Sequence, residues 1–126
     1  MNSYLFTYGY LQSKYQKIKK APTFNFRSLG SGTYRGLLYE VDDYPGVVFT
    51  GKKENIVYGE ILEINDLSDL VILDRYERAL PTVTEHPEYR RNSRLVYMVG
   101  GDPFHCWVYE YLLDIQSLKK ITDGKY

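Results

Sequence analysis

One glutamate lies where the sequence pattern predicts the buried face of a helix. Within the segment Asn65–Glu77, the residues Leu70, Leu73 and Glu77 follow helical spacing, so the Glu77 carboxylate should face the core near the helix C-terminus. Burial and the helix dipole both disfavour negative charge there. Both should therefore raise the pKa of Glu77, which is how a glutamate becomes a general base near neutral pH.

A second interpretation of the same residue involves the neighbouring arginines. If the helix frays at its end, the Glu77 carboxylate could simply pair with Arg78, Arg90 or Arg91 at the surface. Arg90 and Arg91, which follow Tyr89, could instead neutralise a carboxylate ligand or flank a strand. The spacing alone leaves these alternatives open.

A glycine between two tyrosines is the other candidate for chemistry. Gly9 stands between Tyr8 and Tyr10, at the end of a predicted strand from Tyr4 to Tyr8. The glycine could mark a simple packing bulge. Alternatively, it could let backbone N–H groups approach a ligand, because glycine permits close approach and an unusual φ/ψ.

Other potential motifs favour structural roles. Gly30, Gly32 and Gly36 have the wrong spacing for a phosphate-binding fingerprint, and no βαβ pattern surrounds them. His105 and Cys106 are adjacent, so on a strand they would point to opposite faces and could not form a nucleophile–base pair. His86 lies in a loop between Glu85 and Pro87 with no regular spacing of ligand residues, so no metal site is expected.

The elements that must position these residues are mostly strands. Besides Tyr4–Tyr8, alternating patterns predict further strands at Thr33–Val41, Val47–Phe49, Asn55–Ile64, Ser93–Gly101 and Phe104–Leu113. Asn65 or Asp66 can cap the one clear helix, which ends at Glu77. The remaining segments are a short helix or basic loop at Leu11–Lys20, loop or irregular strand at Ala21–Gly32, loop at Arg78–Arg91, and a last helical turn or two at Asp114–Ile121. About six strands and one clear helix indicate an α+β domain or a barrel with flanking helices.

Length and composition narrow the class further. With 126 residues, the chain is expected to form a single domain, 1–126, with its own core. The single cysteine, the lack of a signal-peptide pattern and the lack of a long apolar run favour a cytoplasmic protein that does not enter a membrane. Zero net charge argues against nucleic acid as a partner, although Lys14–Lys20 is locally basic. The fourteen tyrosines suit either a β-rich core or a polar pocket.

Several ordered pieces together resemble the γ-glutamylcyclotransferase-like family, also called AIG2-like. The resemblance runs from about Tyr4 to Leu112 and rests on order and spacing rather than on one motif. The pieces are a strand ending in a Tyr-Gly loop (Phe6–Leu11), a Gly-Leu-Leu-Tyr strand (Gly36–Tyr39) with a Tyr-Pro turn (Tyr44–Pro45), a Val-Tyr-Gly-Glu strand (Val57–Glu60), a Leu-Asp-Arg-Tyr-Glu helix end (Leu73–Glu77), a Tyr-Arg-Arg element (Tyr89–Arg91) and an aromatic strand (Trp107–Tyr109).

The resemblance implies a fold and a site. The fold would be a small mixed β-barrel of about six strands flanked by short helices, with an active cavity at the barrel mouth. Glu77 would be the catalytic acid and base. The loop Tyr8, Gly9, Tyr10 and Leu11 would bind the substrate, with the backbone N–H groups of its last three residues holding the α-carboxylate of a γ-glutamyl group.

The reaction implied is an intramolecular acyl transfer. The substrate's own α-amine would attack its γ-carbonyl, releasing 5-oxoproline and an amine or amino acid, with no cofactor and no protein nucleophile. The alternative is a non-catalytic member of the fold that binds a small metabolite. Tyr10 and Arg78 favour that alternative, because relatives commonly carry a small polar residue and a glycine at these positions. The expected partner is a small γ-glutamyl molecule, and the protein is expected to be a monomer or homodimer.

Overall fold

The computed structural model describes residues 3–12 and 24–126. This part of the chain forms eight strands and one helix. In chain order they are β1 (Ser3–Thr7), β2 (Phe26–Val41), β3 (Tyr44–Phe49), β4 (Ile56–Ile64), α1 (Ser68–Glu77), β5 (Ala79–Leu80), β6 (Tyr89–Met98), β7 (Pro103–Tyr111) and β8 (Lys119–Lys120).

Five of the strands close into a mixed β-barrel, which confirms the fold class expected from the sequence. Strand β1 pairs antiparallel with β4, β4 with β2, and β2 with β3. The ring closes through β7, which pairs parallel with both β3 and β1. Strand β6 lies antiparallel to β7 and also pairs antiparallel with β2, and β5 extends the sheet from β6.

The period-two alternation in β1 separates two hydrophobic clusters. Phe6 and Tyr8 belong to a cluster to which all five barrel strands contribute, and which therefore fills the barrel interior. Leu5 faces the opposite way and packs in a second cluster that includes residues of the helix. Because consecutive strand residues point to opposite faces, one short strand anchors both clusters.

The helix packs its apolar side on the outside of the barrel. Leu70 and Leu73 are buried in the second cluster together with residues of β1 and β4. The helix begins at Ser68 rather than at the predicted Asn65 or Asp66, although the Asp66 carboxylate accepts hydrogen bonds from the Ser68 backbone N–H (3.0 Å) and hydroxyl (2.7 Å). Its end at Glu77 agrees with the prediction.

Two other predicted elements were wrong, one is confirmed in one of its two alternatives, and one lies outside the described residues. The segment predicted as loop or irregular strand holds an irregular strand from Phe26 onward, because β2 begins there and passes through a register shift between Ser28 and Gly30. The predicted loop after the helix holds β5 and the start of β6. The segment predicted to end in helical turns instead contains β8, which pairs with β2. Most of the predicted helix or basic loop at Leu11–Lys20 falls outside the described ranges.

Within the described ranges, α1 is too short and too polar to cross a bilayer.

Candidate functional site

A cavity of about 440 Å³ opens where the end of β1 meets the end of α1. The loop after β1 forms one side, and the turn into β3 at Asp43–Pro45 forms another. The helix end and the segment around Glu88 and Tyr89 complete the wall. The structure therefore brings together every site residue predicted from the sequence, Glu77 and Tyr8 to Leu11, in one cavity.

The Tyr8–Gly9 turn is tied to β7 by one hydrogen bond and closed on itself by another. The Tyr8 hydroxyl donates to the carbonyl of Tyr109 (2.5 Å), and Gln12 donates its backbone N–H to the Gly9 carbonyl (3.1 Å). Burial, followed by the nearby Glu77 charge, raises the pKa of Tyr8, so its hydroxyl remains a neutral donor. Among the residues described, the Gly9 N–H donates to no protein acceptor.

The reason for glycine at position 9 differs from the one predicted. Gly9 does not have a positive φ, so no unusual backbone conformation requires it. A Cβ there would instead lie 2.9 Å from Cγ of Pro45, closer than real Cβ contacts. The glycine is thus needed for close approach between the loop after β1 and the turn into β3.

Tyr10, which departs from the small polar residue expected here, is held against the rim of the cavity. Its hydroxyl donates to the carbonyl of Asp43 (2.6 Å) and lies 2.8 Å from the hydroxyl of Tyr126. The two rings meet edge to face at 5.4 Å. The ring narrows the cavity without filling it, since about 440 Å³ remains.

Glu77 faces the cavity from the last turn of α1. It forms no ion pair or hydrogen bond with the described residues, so the predicted alternative of pairing with a nearby arginine is wrong. Burial, and to a smaller degree the charge of Glu88, raises its pKa from 4.5 to about 8. The carboxylate can therefore both accept and return a proton near neutral pH.

A buried carboxylate one turn earlier fixes the helix end. Asp74 is fully buried, and Arg91 of β6 binds it through Nε (2.8 Å) and Nη2 (3.2 Å). It also accepts hydrogen bonds from the hydroxyls of Thr82 (2.6 Å) and Tyr109 (2.7 Å). These bonds join the helix to β6 and β7, so they position Glu77 over the cavity. Arg91 thus neutralises a protein carboxylate, while Arg90 is exposed.

The helix ends in a left-handed residue that is not glycine. Arg78 has φ 56° and ψ 52°, a conformation that L residues other than glycine adopt at a cost. Its backbone N–H caps the helix, and its guanidinium Nη2 donates to the carbonyl of His86 (3.1 Å). The helix-end geometry that a glycine commonly gives is therefore reached with arginine.

The cavity contains a second carboxylate that was not predicted from the sequence. Glu88 lines the wall, and its Oε1 accepts a hydrogen bond from the Tyr44 hydroxyl. Its backbone N–H donates to the carbonyl of Arg78 (2.8 Å), which places the two acidic side chains on the same wall. No periodic pattern in the segment could have indicated this. The available clue was the Tyr44–Pro45 turn, because the hydroxyl of Tyr44 is the group that donates a hydrogen bond to Glu88.

His105 and Cys106, which the sequence also raised as candidates, do not line the cavity. Cys106 is buried in the barrel interior and His105 on the same strand is exposed, as the alternation predicted. Burial raises the pKa of the Cys106 thiol to about 12. The described ranges contain no group of three or more histidine, cysteine or acidic side chains arranged to hold a metal ion.

A comparison with family models matches residues 5–126 to the family described as gamma-glutamyl cyclotransferase, AIG2-like. No curated protein matches the chain.

Solved structures share the fold at low sequence identity. YkqA from Bacillus subtilis superimposes with a TM-score of 0.72 at 23% identity, covering 100% of this chain and 40% of YkqA. An AIG2-like protein from Mus musculus superimposes with a TM-score of 0.69 at 22% identity, covering 99% of this chain and 88% of the mouse protein. The protein ytfP from Escherichia coli superimposes with a TM-score of 0.63 at 24% identity, covering 100% of this chain and 96% of ytfP.

Proposed function

The chain belongs to the gamma-glutamyl cyclotransferase, AIG2-like family, and on this premise we propose that it releases 5-oxoproline from a γ-glutamyl amine or peptide. The observation that carries the proposal is an unpaired carboxylate, Glu77, in a cavity shared with the Tyr8–Leu11 turn. A raised pKa suits that carboxylate to proton transfer. The domain would act alone, without a cofactor, on a small molecule.

Substrate binding would use the turn after β1. The α-carboxylate of the γ-glutamyl group would accept hydrogen bonds from backbone N–H groups of this turn, beginning with that of Gly9. The close packing of Gly9 on Pro45 would support the position of this turn. Such preorganised donors avoid the cost of reorienting during the reaction.

The chemistry would proceed through proton transfers that one residue carries out. The Glu77 carboxylate accepts a proton from the substrate's α-ammonium, and the free amine nitrogen attacks the γ-carbonyl carbon to close a five-membered ring. The bond between that carbon and the leaving nitrogen then breaks. Protonated Glu77 gives its proton to the leaving nitrogen, and the restored carboxylate then carries the second proton, which the ring nitrogen loses as the lactam forms, to the same nitrogen. 5-Oxoproline and an ammonium product depart, and Glu77 is again a carboxylate. The nucleophile belongs to the substrate, which accounts for catalysis without a serine or cysteine.

The test is detection of 5-oxoproline by mass spectrometry after incubation with γ-glutamyl dipeptides and γ-glutamyl amines. The wild type should produce it, and Glu77→Gln should lower the rate at least about 100-fold, because a general base contributes 10²–10⁴-fold. Glu85→Gln, which changes an exposed glutamate outside the cavity, is the matched control. Absence of product over the whole panel would overturn the enzymatic proposal in favour of a metabolite-binding protein.

A further inference from the structure

The segment Lys119–Tyr126, which does not line the cavity, is fixed to two strands of the barrel. Its first two residues form β8, which pairs antiparallel with β2. The Ile121 N–H then donates to the carbonyl of Leu38 in β2 (2.8 Å). Further along, the Gly124 carbonyl accepts a hydrogen bond from the Tyr58 N–H of β4 (2.8 Å). Backbone hydrogen bonds to two strands therefore fix the path of this segment.

Close packing at Gly124 fixes where the segment goes next. Gly124 has a φ of +70°, and a Cβ there would lie 2.1 Å from the carbonyl oxygen of Ile56. Glycine alone suits a position that needs both a positive φ and such a close approach. Two residues later, the side chain of Tyr126 packs against the cluster that fills the barrel interior, as that of Ile121 does. The segment thus places the Tyr126 ring at a defined point of the barrel.

The Tyr126 hydroxyl meets the rim of the cavity at two oxygens. It lies 2.8 Å from the hydroxyl of Tyr10 and 2.8 Å from the carbonyl oxygen of Asp43. The Tyr10 hydroxyl in turn lies 2.6 Å from the same carbonyl oxygen. The two hydroxyls have only two protons between them, so two of these three contacts can be hydrogen bonds at one time. The rings of the two tyrosines also meet edge to face, with their centres 5.4 Å apart.

These contacts join the two loops that form opposite sides of the cavity. Tyr10 belongs to the turn after β1 and Asp43 to the turn into β3, and both residues line the cavity. The same two loops touch where Gly9 packs on Pro45. Tyr126 therefore supports a second point of contact between them, from outside the cavity lining. Because the Gly9 N–H lies in the first loop, its position depends on both points of contact.

We propose that Tyr126 positions the substrate-binding turn: through Tyr10, it keeps the Gly9 N–H where the α-carboxylate of the γ-glutamyl group binds. This inference rests on the proposed cyclotransferase function and adds to it a residue 116 positions beyond Tyr10 in the chain. Tyr126 touches no reacting atom. It therefore affects how well the substrate is bound rather than the rate of the chemical step.

Steady-state kinetics test this role with the γ-glutamyl compound that gives the most 5-oxoproline. We expect Tyr126→Ala to raise KM about tenfold and to leave kcat within about twofold of the wild type, because a displaced turn weakens binding of the ground state and the transition state alike. Tyr126→Phe keeps the ring and leaves the bond from Tyr10 to Asp43 intact, so KM should rise only about threefold.

Ile121→Ala is the matched control, because Ile121 packs against the same cluster through a side chain that cannot donate a hydrogen bond. It should lower the midpoint of thermal unfolding without raising KM. An equal rise of KM in Ile121→Ala and Tyr126→Ala would overturn the inference, since it would show that loss of packing alone weakens binding.

A double-mutant cycle tests whether Tyr126 acts through Tyr10. Tyr10→Ala should itself raise KM, and adding Tyr126→Ala to it should cause little further change, because the contact between the two side chains is already lost. Independent, multiplicative effects of the two substitutions on KM would overturn the inference.

Hydrogen exchange measured by NMR separates this inference from the proposed function. The Gln12 N–H donates to the Gly9 carbonyl and so reports on closure of the turn. Tyr126→Ala should speed its exchange at least about fivefold relative to amides of β7, which report on global opening, and Ile121→Ala should not. If no 5-oxoproline forms but this selective effect is seen, the cyclotransferase proposal fails and the positioning role stands. If product forms and Tyr126→Ala keeps the wild-type KM, the inference is overturned and the cyclotransferase stands. Neither product nor selective exchange would overturn both.

Discussion

Replacing Glu77 by glutamine should stabilise the fold at alkaline pH while removing activity at every pH. The folded-state pKa of Glu77 is raised from 4.5 to about 8, so between these values the folded protein holds a proton that the unfolded chain has released. The wild type therefore loses stability as the pH rises through this window. The amide of glutamine has nearly the same shape and never ionises, so the variant escapes this loss.

The size of the effect follows from the pKa shift. Each pKa unit corresponds to about 1.4 kcal/mol. For a completely enclosed group, the wild type would therefore lose roughly 5 kcal/mol of unfolding free energy when Glu77 ionises. Glu77 is only half-buried, and water entering the cavity reduces the cost. We therefore expect Glu77→Gln to gain about 2 to 4 kcal/mol of unfolding free energy at pH 9, and close to nothing at pH 4.5.

Thermal or urea unfolding at a series of pH values is the assay. Near pH 9 the midpoint of Glu77→Gln should rise by roughly 10 °C, given about 4 °C for each kcal/mol in a domain of this size. Glu85→Gln serves as the control and should follow the wild type. A gain of the same size at pH 5 and pH 9 would refute the reasoning, because it would show that the carboxylate is not destabilised by its charge. In parallel, kcat/KM of the wild type should fall as Glu77 becomes protonated below about pH 8.

Three further substitutions test how the cavity is built. Gly9→Val should lower the unfolding free energy by about 1 to 3 kcal/mol and raise KM, because its side chain would press on Pro45. Gly9→Ala should lose less stability. Unchanged stability and KM in both variants would contradict the close approach of Gly9 to Pro45. Asp74→Ala should cost about 3 to 5 kcal/mol in urea unfolding, because it leaves Arg91 without its partner; a loss below about 1 kcal/mol would show that the pair does not hold the helix end. Arg78→Gly should be about 1 kcal/mol more stable than Arg78→Ala. Both variants lose the hydrogen bond to His86, but only glycine adopts the positive φ without strain. Equal stability of the two variants would argue against backbone strain at this position.

Glu77 could be predicted from the sequence because its evidence is local. Leu73 and Leu70 lie one and two turns before it, and a period of 3.6 residues places all three on one side of the helix. The strand alternation in β1 is equally local, and it accounts for Phe6 and Tyr8 lying opposite Leu5. Patterns of this kind need no knowledge of distant contacts.

The features that could not be predicted depend on residues far apart in the chain. The need for glycine at position 9 comes from Pro45, which the sequence alone does not place beside it. Glu88 lies in a segment without periodicity, and only its contact with Tyr44 reveals its position in the cavity. The sequence left the early part of β2 open between loop and irregular strand because Gly30 interrupts the pattern, whereas in the sheet this glycine sits at an irregularity that the strand passes through.

The hydrogen bond from the Tyr8 hydroxyl to the Tyr109 carbonyl spans 101 residues of sequence. The first strand also closes the barrel through its parallel pairing with β7, near the other end of the chain. Contacts between residues so far apart in the sequence form slowly, because closing a long loop costs conformational entropy before the contact can stabilise the fold. A nascent chain on the ribosome cannot complete the pocket until β7 has emerged. Recovery of ligand binding should consequently coincide with the last kinetic phase of refolding, after much of the secondary structure has formed.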